Sequence, residues 1–146
     1  MFRLMLKVLI PLFIFVYRLT GGAIGGRMRV LPVLLLTTTG RKSGKQRTVP
    51  VAYIKDNNSY IVIASNSGQP KHPAWFHNIK SNPTATVQIG RSTFKVQAEI
   101  ADPAKKEKLW SHAVKIAPGY EKYQQRTTRD IPVVLLHPMV PSPVGQ

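Results

Sequence analysis

The chain has 146 residues, of which 43% are hydrophobic, and this length supports one domain with a substantial core rather than two. It contains no cysteine, which excludes disulfides, thiolate nucleophiles and zinc–sulfur sites. The formal net charge of +15 indicates an anionic partner: nucleic acid, an anionic membrane surface or a polyanionic small ligand.

The first segment, Phe2–Leu19, is almost wholly apolar and predicts a helix. Its cations Arg3, Lys7 and Arg18 fall within roughly 60° of one another on a helical wheel. One narrow cationic stripe on an apolar helix favours a segment that lies in the plane of a membrane interface. The apolar run Val8–Tyr17 is shorter than the about 20 residues that span a bilayer. Three alternatives remain for this segment: a helix packed against the domain's own core, a secretory signal, or a helix that spans the membrane.

The glycine-rich stretch Gly21–Gly26 follows this helix and predicts a hinge. Its spacing differs from the dinucleotide-binding fingerprint, and a helix rather than a strand precedes it. We therefore divide the chain into an N-terminal amphipathic helix with its hinge (residues 1–26), one globular domain (27–140) and a Pro-rich tail (141–146).

Six short strands are predicted in the globular domain, because runs rich in Val, Leu, Ile and Thr alternate with turn residues. They cover Val33–Thr38, Val49–Lys55, Tyr60–Ala64, Thr84–Ile89, Thr93–Ile100 and Ile131–His137. One helix is predicted from Pro73 to about Ile79, and another, capped by Asp102 with Pro103 first inside, runs to about Ile116. This pattern predicts an α+β fold with a small, mainly antiparallel barrel and argues against a doubly wound parallel sheet.

A basic loop joins the first two of these strands. Between Gly40 and Pro50 it carries four cations, which are Arg41, Lys42, Lys45 and Arg47. Glycine lets backbone N–H groups approach a ligand closely, and the cations supply charge-assisted hydrogen bonds, so the loop is suited to a multiply charged anion. A solvated hairpin turn is the alternative. The glycine spacing does not match a Walker A motif.

Other catalytic patterns are weak. His72 and His77 are five residues apart, and neither they nor the remaining histidines match a usual ligand spacing, so we predict no metal site. A serine–histidine–carboxylate triad is left open by spacing, although no serine lies in a nucleophile-elbow pattern. If the protein is an enzyme, a bound cofactor therefore supplies the difficult chemistry.

Several motifs occur together between about Val33 and Pro138. They are Gly40-Arg41-Lys42-Ser43-Gly44, Arg47-Thr48-Val49-Pro50, Ala64-Ser65 with Gly68, His72-Pro73-Ala74-Trp75-Phe76-His77-Asn78, Pro83, Tyr120-Glu121 with Tyr123, and Arg126-Thr127 with Arg129-Asp130-Ile131-Pro132-Val133. In this order and spacing they resemble the deazaflavin-dependent nitroreductase family. The resemblance implies a flavin-reductase-like split β-barrel that binds coenzyme F420. It also implies hydride transfer from the reduced cofactor to quinones or other electron-poor acceptors, including nitro compounds.

The resemblance also assigns positions to the cofactor, which carries a phosphate and an oligoglutamate tail. The implied contact residues are Arg41, Lys42, Lys45, Arg47, Thr48, Val49, Pro50, Val51, Ser65, Asn66, Trp75 and Asn78. The four cations would bind the phosphate and tail, and the segment after them would present backbone and flat apolar surface to the ring. For Trp75, a plain core position on a short helix is the alternative.

The implied catalytic residues are Ser65, Tyr120 and Tyr123. The tyrosines are three residues apart and can share one helical face. By resemblance they line the acceptor pocket, where a phenol can donate a proton or a hydrogen bond. Ordinary amphipathic packing is the alternative for both. Asn66, where many members have Lys, and Ala117, where some have an aromatic residue, depart from the family pattern.

These observations lead to one main expectation. We predict an F420-dependent quinone reductase in the cytoplasm, bound peripherally to the inner face of the cell membrane through its first helix. The alternative is a non-catalytic carrier of F420 or lipid. We predict no nucleic-acid partner, because only the charge favours one and no aromatic-plus-basic recognition pattern accompanies it.

Overall fold

The computed structural model describes residues 2–28 and 31–139, with side chains for 8–27 and 31–139. The predicted Pro-rich tail and the side chains of Arg3 and Lys7 lie outside the described part. The helices are α1 (Phe2–Thr20), α2 (Ala74–Ser81), α3 (Pro103–Ile116) and α4 (Gly119–Gln125). The strands are β1 (Arg27–Met28), β2 (Leu31–Thr39), β3 (Gln46–Ala52), β4 (Ile54–Asp56), β5 (Ser59–Ile63), β6 (Thr84–Ile89), β7 (Ser92–Ile100) and β8 (Val133–Pro138).

The strands form one curled antiparallel sheet. Its order is β1-β2-β6-β7-β8-β5-β4, and β3 pairs with β2. β3 and β4 are consecutive in the chain, yet β3 pairs with β2 and β4 with β5, so this segment connects two distant parts of the sheet. The α+β fold predicted from sequence is confirmed, and the curled antiparallel sheet is consistent with the predicted split barrel. The described residues form eight strands where six were predicted.

The prediction of one continuous strand over Val49–Lys55 was wrong. The strand breaks at Tyr53, whose N–H donates to the Pro32 carbonyl at 3.0 Å. It also begins earlier, because the ladder with β2 extends to the pair Thr39 and Gln46. Polar side chains on both strands at this end allow the ladder to continue into solvent.

Strand alternation creates a core inside the barrel and another outside it. In β8, Val134 and Leu136 join the interior cluster with α2, whereas Val133 and Leu135 join the cluster that includes residues of α3 and α4. Successive strand residues point to opposite faces, so strands covered on both sides are hydrophobic almost throughout. Asp102 caps α3 as predicted, since its carboxylate accepts the Lys105 N–H at 2.8 Å.

The C-terminal half of α1 packs on the barrel. Tyr17 is 1% exposed and clusters with Val33 and Leu35 on the outer face of β2. Its hydroxyl donates to the Val33 carbonyl at 3.0 Å and accepts the Gly90 N–H at 3.0 Å. The core-packing alternative for this helix therefore holds for one of its faces.

Another face of α1 is uncovered. Val8, Leu12, Phe15 and Leu19 are 53–68% exposed. Their spacing of three and four residues puts them on one side of the helix. No helix within residues 2–28 and 31–139 combines the length and apolar character needed to cross a membrane.

We predict that Tyr17→Phe lowers the free energy of unfolding by about 1–3 kcal/mol, because the Gly90 N–H loses its acceptor in a partly buried place. Urea unfolding measures this change. Tyr60→Phe is the matched control, since the Tyr60 ring packs on Tyr53 and Phe94 without a side-chain hydrogen bond in the described part of the chain. Equal losses in the two variants would contradict docking of α1 through the hydroxyl.

Candidate functional site

A cavity of ≈ 610 Å³ lies between β3, the segment after β5, the start of α2 and α4. The predicted site residues that line it are Val49, Pro50, Val51, Ser65, Asn66, Trp75, Tyr120 and Tyr123. The fold thus brings together all three predicted catalytic residues and the predicted ring-contact segment of β3. Residues from five separate parts of the chain line this cavity, whose volume is in the range typical of small-ligand pockets.

β3 forms the apolar wall of the cavity. Val49 and Val51 pack against the interior core, and Pro50 pairs with Leu35 of β2. Thr48 is not among the lining residues, and its hydroxyl lies 2.7 Å from that of Thr37. This contact between the two hydroxyl groups helps to hold β3 on β2.

The four predicted phosphate-binding cations lie outside the cavity lining, on the loop before β3 and at the start of that strand. All four are exposed, and no salt bridge joins them to an acidic group in the described part of the chain. The loop is closed by two backbone hydrogen bonds, from Gly44 to Gly40 at 2.8 Å and from Gly40 to Lys45 at 2.7 Å. Gly44 has φ +73°, which favours glycine. These two hydrogen bonds and the conformation of Gly44 define the shape of the loop, and its charges face water.

Asn78 anchors this loop to α2. Its side-chain oxygen accepts the Arg41 N–H at 3.1 Å, and its amide donates to the Thr38 hydroxyl at 3.0 Å. Because the Asn78 side chain is buried and bonds to the Arg41 backbone, it holds the start of the cationic loop in a fixed position relative to α2. These contacts favour a supporting role for Asn78 over the predicted direct contact with the cofactor.

The tyrosine pair lies on α4. The ring centroids of Tyr120 and Tyr123 are 6.3 Å apart in an edge-to-face arrangement, and both rings line the cavity. Burial, with a smaller contribution from Tyr123, raises the pKa of Tyr120 to about 12. Tyr120 therefore keeps its proton at physiological pH and can act as a hydrogen-bond donor there.

Sequence reasoning missed several lining residues. Leu31, Ser67, Pro118 and Gly119 also line the cavity, next to Ala117. Ser67 and Gly119 immediately neighbour the predicted residues Asn66 and Tyr120, and Pro118 lies two residues before Tyr120, so proximity in sequence is the signal that could have identified them. Arg129, which belonged to a noted motif but received no role, bonds to the segment that carries Ser65.

The structure does contain a serine–histidine–carboxylate chain, but it lies apart from the cavity. Ser59 Oγ is 2.6 Å from His137 Nδ1, and His137 Nε2 is 2.7 Å from a Glu99 carboxylate oxygen. Lys105 bonds to the other oxygen of Glu99 at 2.7 Å. This chain links β5, β8 and β7, and none of its members lines the cavity. Within the described residues, no group of three or more histidine or acidic side chains has the geometry of a metal site.

Sequence comparisons find one family. The profile of the F420H2-dependent quinone reductase family matches residues 12–138. An F420H2-dependent quinone reductase of Mycobacterium tuberculosis is 40% identical over 125 residues, which cover 83% of this chain and 84% of that protein.

Structural comparisons agree. An F420-H2 dependent reductase has a TM-score of 0.66 and 42% identity over 73% of this chain and 94% of its own. A structure described as a domain-swapped dimer has a TM-score of 0.67 and 42% identity, over 73% of this chain and 80% of its own. The heme storage protein of Vibrio cholerae shares the fold alone, with 14% identity and a TM-score of 0.53 over 75% of this chain and 82% of its own.

Proposed function

The chain belongs to the F420H2-dependent quinone reductase family, and on this basis we infer that it is an oxidoreductase that transfers a hydride from F420H2 to a quinone. Coenzyme F420 is its cofactor. The broader predicted name, nitroreductase, goes beyond this family, so reduction of nitro compounds remains a prediction.

The observation that carries this proposal is the continuity of cationic loop and apolar wall along one strand. Arg47, Val49 and Val51 of β3 point to the same face, because side chains alternate along a strand. Arg47 and Val49 are separated by about 7 Å along the strand. A ligand with a planar ring and an anionic tail therefore fits with its ring against the valines and its phosphate against Arg47.

The chain's own residues have separable tasks in this scheme. When bound, F420H2 supplies the hydride. The cations of the loop bind the phosphate and tail, with affinity that decreases as salt screens them. The side chains of Val49 and Val51 exclude water from one side of the ring. Ser65, Tyr120 and Tyr123 then face the quinone that accepts the hydride. Tyr120 donates a hydrogen bond to a carbonyl oxygen of this quinone.

We also propose that the uncovered face of α1 contacts a membrane surface. Its support is the exposed apolar stripe from Val8 to Leu19, with Arg18 exposed next to it. Apolar side chains that enter the headgroup boundary beside a cation bind anionic lipid. A lipophilic quinone would then reach the cavity from the bilayer. Peripheral localisation at the inner face of the cell membrane remains part of this proposal.

The first test of the proposed function measures F420 affinity by fluorescence titration. We expect Arg47→Ala, and separately the pair Arg41→Ala and Lys42→Ala, to weaken binding by about 1.5–3 kcal/mol per lost charged hydrogen bond. The loss should be larger at low salt. Lys108→Ala, an exposed lysine of α3, is the charge-matched control. Unchanged affinity in the loop variants would mean that the loop is a solvated turn.

The second test measures oxidation of F420H2 by a menaquinone analogue. Tyr120→Phe and Tyr123→Phe should each lower kcat by about 10²-fold and change F420 affinity little, because the hydroxyls act on the acceptor. The pKa of Tyr120 is raised to about 12, so the phenol stays protonated up to about pH 10. We therefore expect no decrease in turnover from loss of this proton at any pH below about 10. Tight F420 binding by the wild type without turnover, across a panel of quinones, would instead favour a carrier.

The third test addresses the membrane. Phe15→Ser with Leu19→Ser should reduce co-sedimentation with anionic liposomes, because both side chains are on the uncovered face of α1. Turnover with a water-soluble quinone should not change, since Tyr17 still docks the helix. Ile100→Ser with Ile116→Ser removes two exposed apolar side chains elsewhere and serves as control. Equal liposome binding by the two double variants would reject the membrane proposal.

A further inference from the structure

One segment of the cavity wall is conformationally strained. Between β5 and α2, the consecutive residues Asn66, Ser67 and Gly68 have φ angles of 47°, 55° and 77°. Two of them are not glycine. The left-handed conformation costs Ser67 about 1–2 kcal/mol and Asn66 less, because asparagine adopts this region more readily than other non-glycine residues. Asn66 and Ser67 both line the cavity. Strain of this kind persists only where the surrounding structure holds it.

Gly68 shows how closely this turn packs on α4. A Cβ added at position 68 would lie 2.7 Å from the Tyr123 carbonyl oxygen. The turn therefore touches the same residue whose ring lines the cavity. A displacement of the turn would change the space between Ser65 and the tyrosine pair.

Arg129 holds both ends of the segment. Its Nη2 donates to the Ser65 carbonyl at 2.7 Å and its Nη1 to the Ala64 carbonyl at 3.2 Å. Beyond the strained turn, its Nε donates to the Gln69 carbonyl at 2.9 Å, and Nη1 lies 2.9 Å from His72 Nδ1. One planar group thus satisfies acceptors on both sides of Asn66–Gly68.

The geometry fixes the state of His72. A guanidinium only donates, so His72 Nδ1 accepts and the ring is neutral with its proton on Nε2. Burial, followed by the charge of Arg129, lowers the pKa of His72, in agreement with this assignment. Arg129 itself is fixed from α4, because the Gln124 side chain donates to the Arg129 carbonyl at 2.8 Å.

We propose that Arg129, which does not line the cavity, is a positioning residue for hydride transfer, and that it acts by holding the strained Ser65–Gly68 turn against α4. This role rests on the proposed function, because the turn matters for catalysis only if the cavity is the reaction site. A lysine cannot replace it, since a single ammonium group cannot reach both ends of the segment in one plane.

Hydrogen exchange of the cofactor-free protein tests the placement directly. In Arg129→Gln, exchange in residues 65–73 should increase by about tenfold or more, whereas β6 and β7 should keep their protection. Lys122→Gln, which removes an exposed charge from α4, should match the wild type. Unchanged exchange in the segment, or a similar increase throughout the barrel, would overturn the proposal.

Turnover provides the second readout. With F420H2 and a water-soluble quinone, Arg129→Gln and Arg129→Lys should each lose about tenfold or more in kcat, with F420 affinity nearly unchanged. Added methylguanidinium should restore part of the activity of Arg129→Ala. Wild-type kcat in these variants, or a loss confined to F420 affinity, would reject a positioning role. If the wild-type protein itself shows no turnover, the proposed function fails, and the exchange experiment still decides whether Arg129 holds the turn.

Discussion

The antiparallel pairing of β2 with β3 is the constraint on which the rest of the structure depends. This ladder runs from the pair Val33 and Ala52 to the pair Thr39 and Gln46. Leu34 and Leu36 of β2 enter the barrel interior, while Val33 and Leu35 receive α1. The pairing therefore determines which side chains fill the barrel interior and which contact α1. It also places the cationic loop at one end of the ladder and the cavity wall along β3.

The site separates charge from apolar surface. The cations remain in water, where they attract an anion at long range and cost little to keep charged. The cavity is lined mainly by valines, prolines and aromatic rings, with Ser65, Asn66 and Ser67 at one side. The Tyr120 phenol that faces it is neutral, and burial raises its pKa further above the physiological range. This division suits a ligand whose anionic part anchors it and whose reactive part must be shielded from water. The net charge alone therefore indicated only an anionic partner, because the apolar cavity that selects the ligand does not contribute to the charge.

Much of this arrangement was predictable from the sequence, and the failures have physical reasons. Strand runs and the Asp102 cap are local patterns, so they were recognised. The break at Tyr53 was missed because the residues around it are all compatible with a strand, and only pairing with different neighbours separates β3 from β4. Asn78 and Arg129 bond to groups distant in sequence, and such partners leave no pattern in the chain.

The proline in β3 has a consequence for how the folded chains behave towards one another. In the described part of the chain, β3 hydrogen-bonds to β2 alone, so its other side is an edge of the sheet. Such an edge is a template on which another chain can add a strand and begin to aggregate. Pro50 has no N–H to offer there, and the exposed Arg47 adds charge repulsion between copies. The residues proposed to hold the cofactor would thereby also protect the sheet from association with a second molecule.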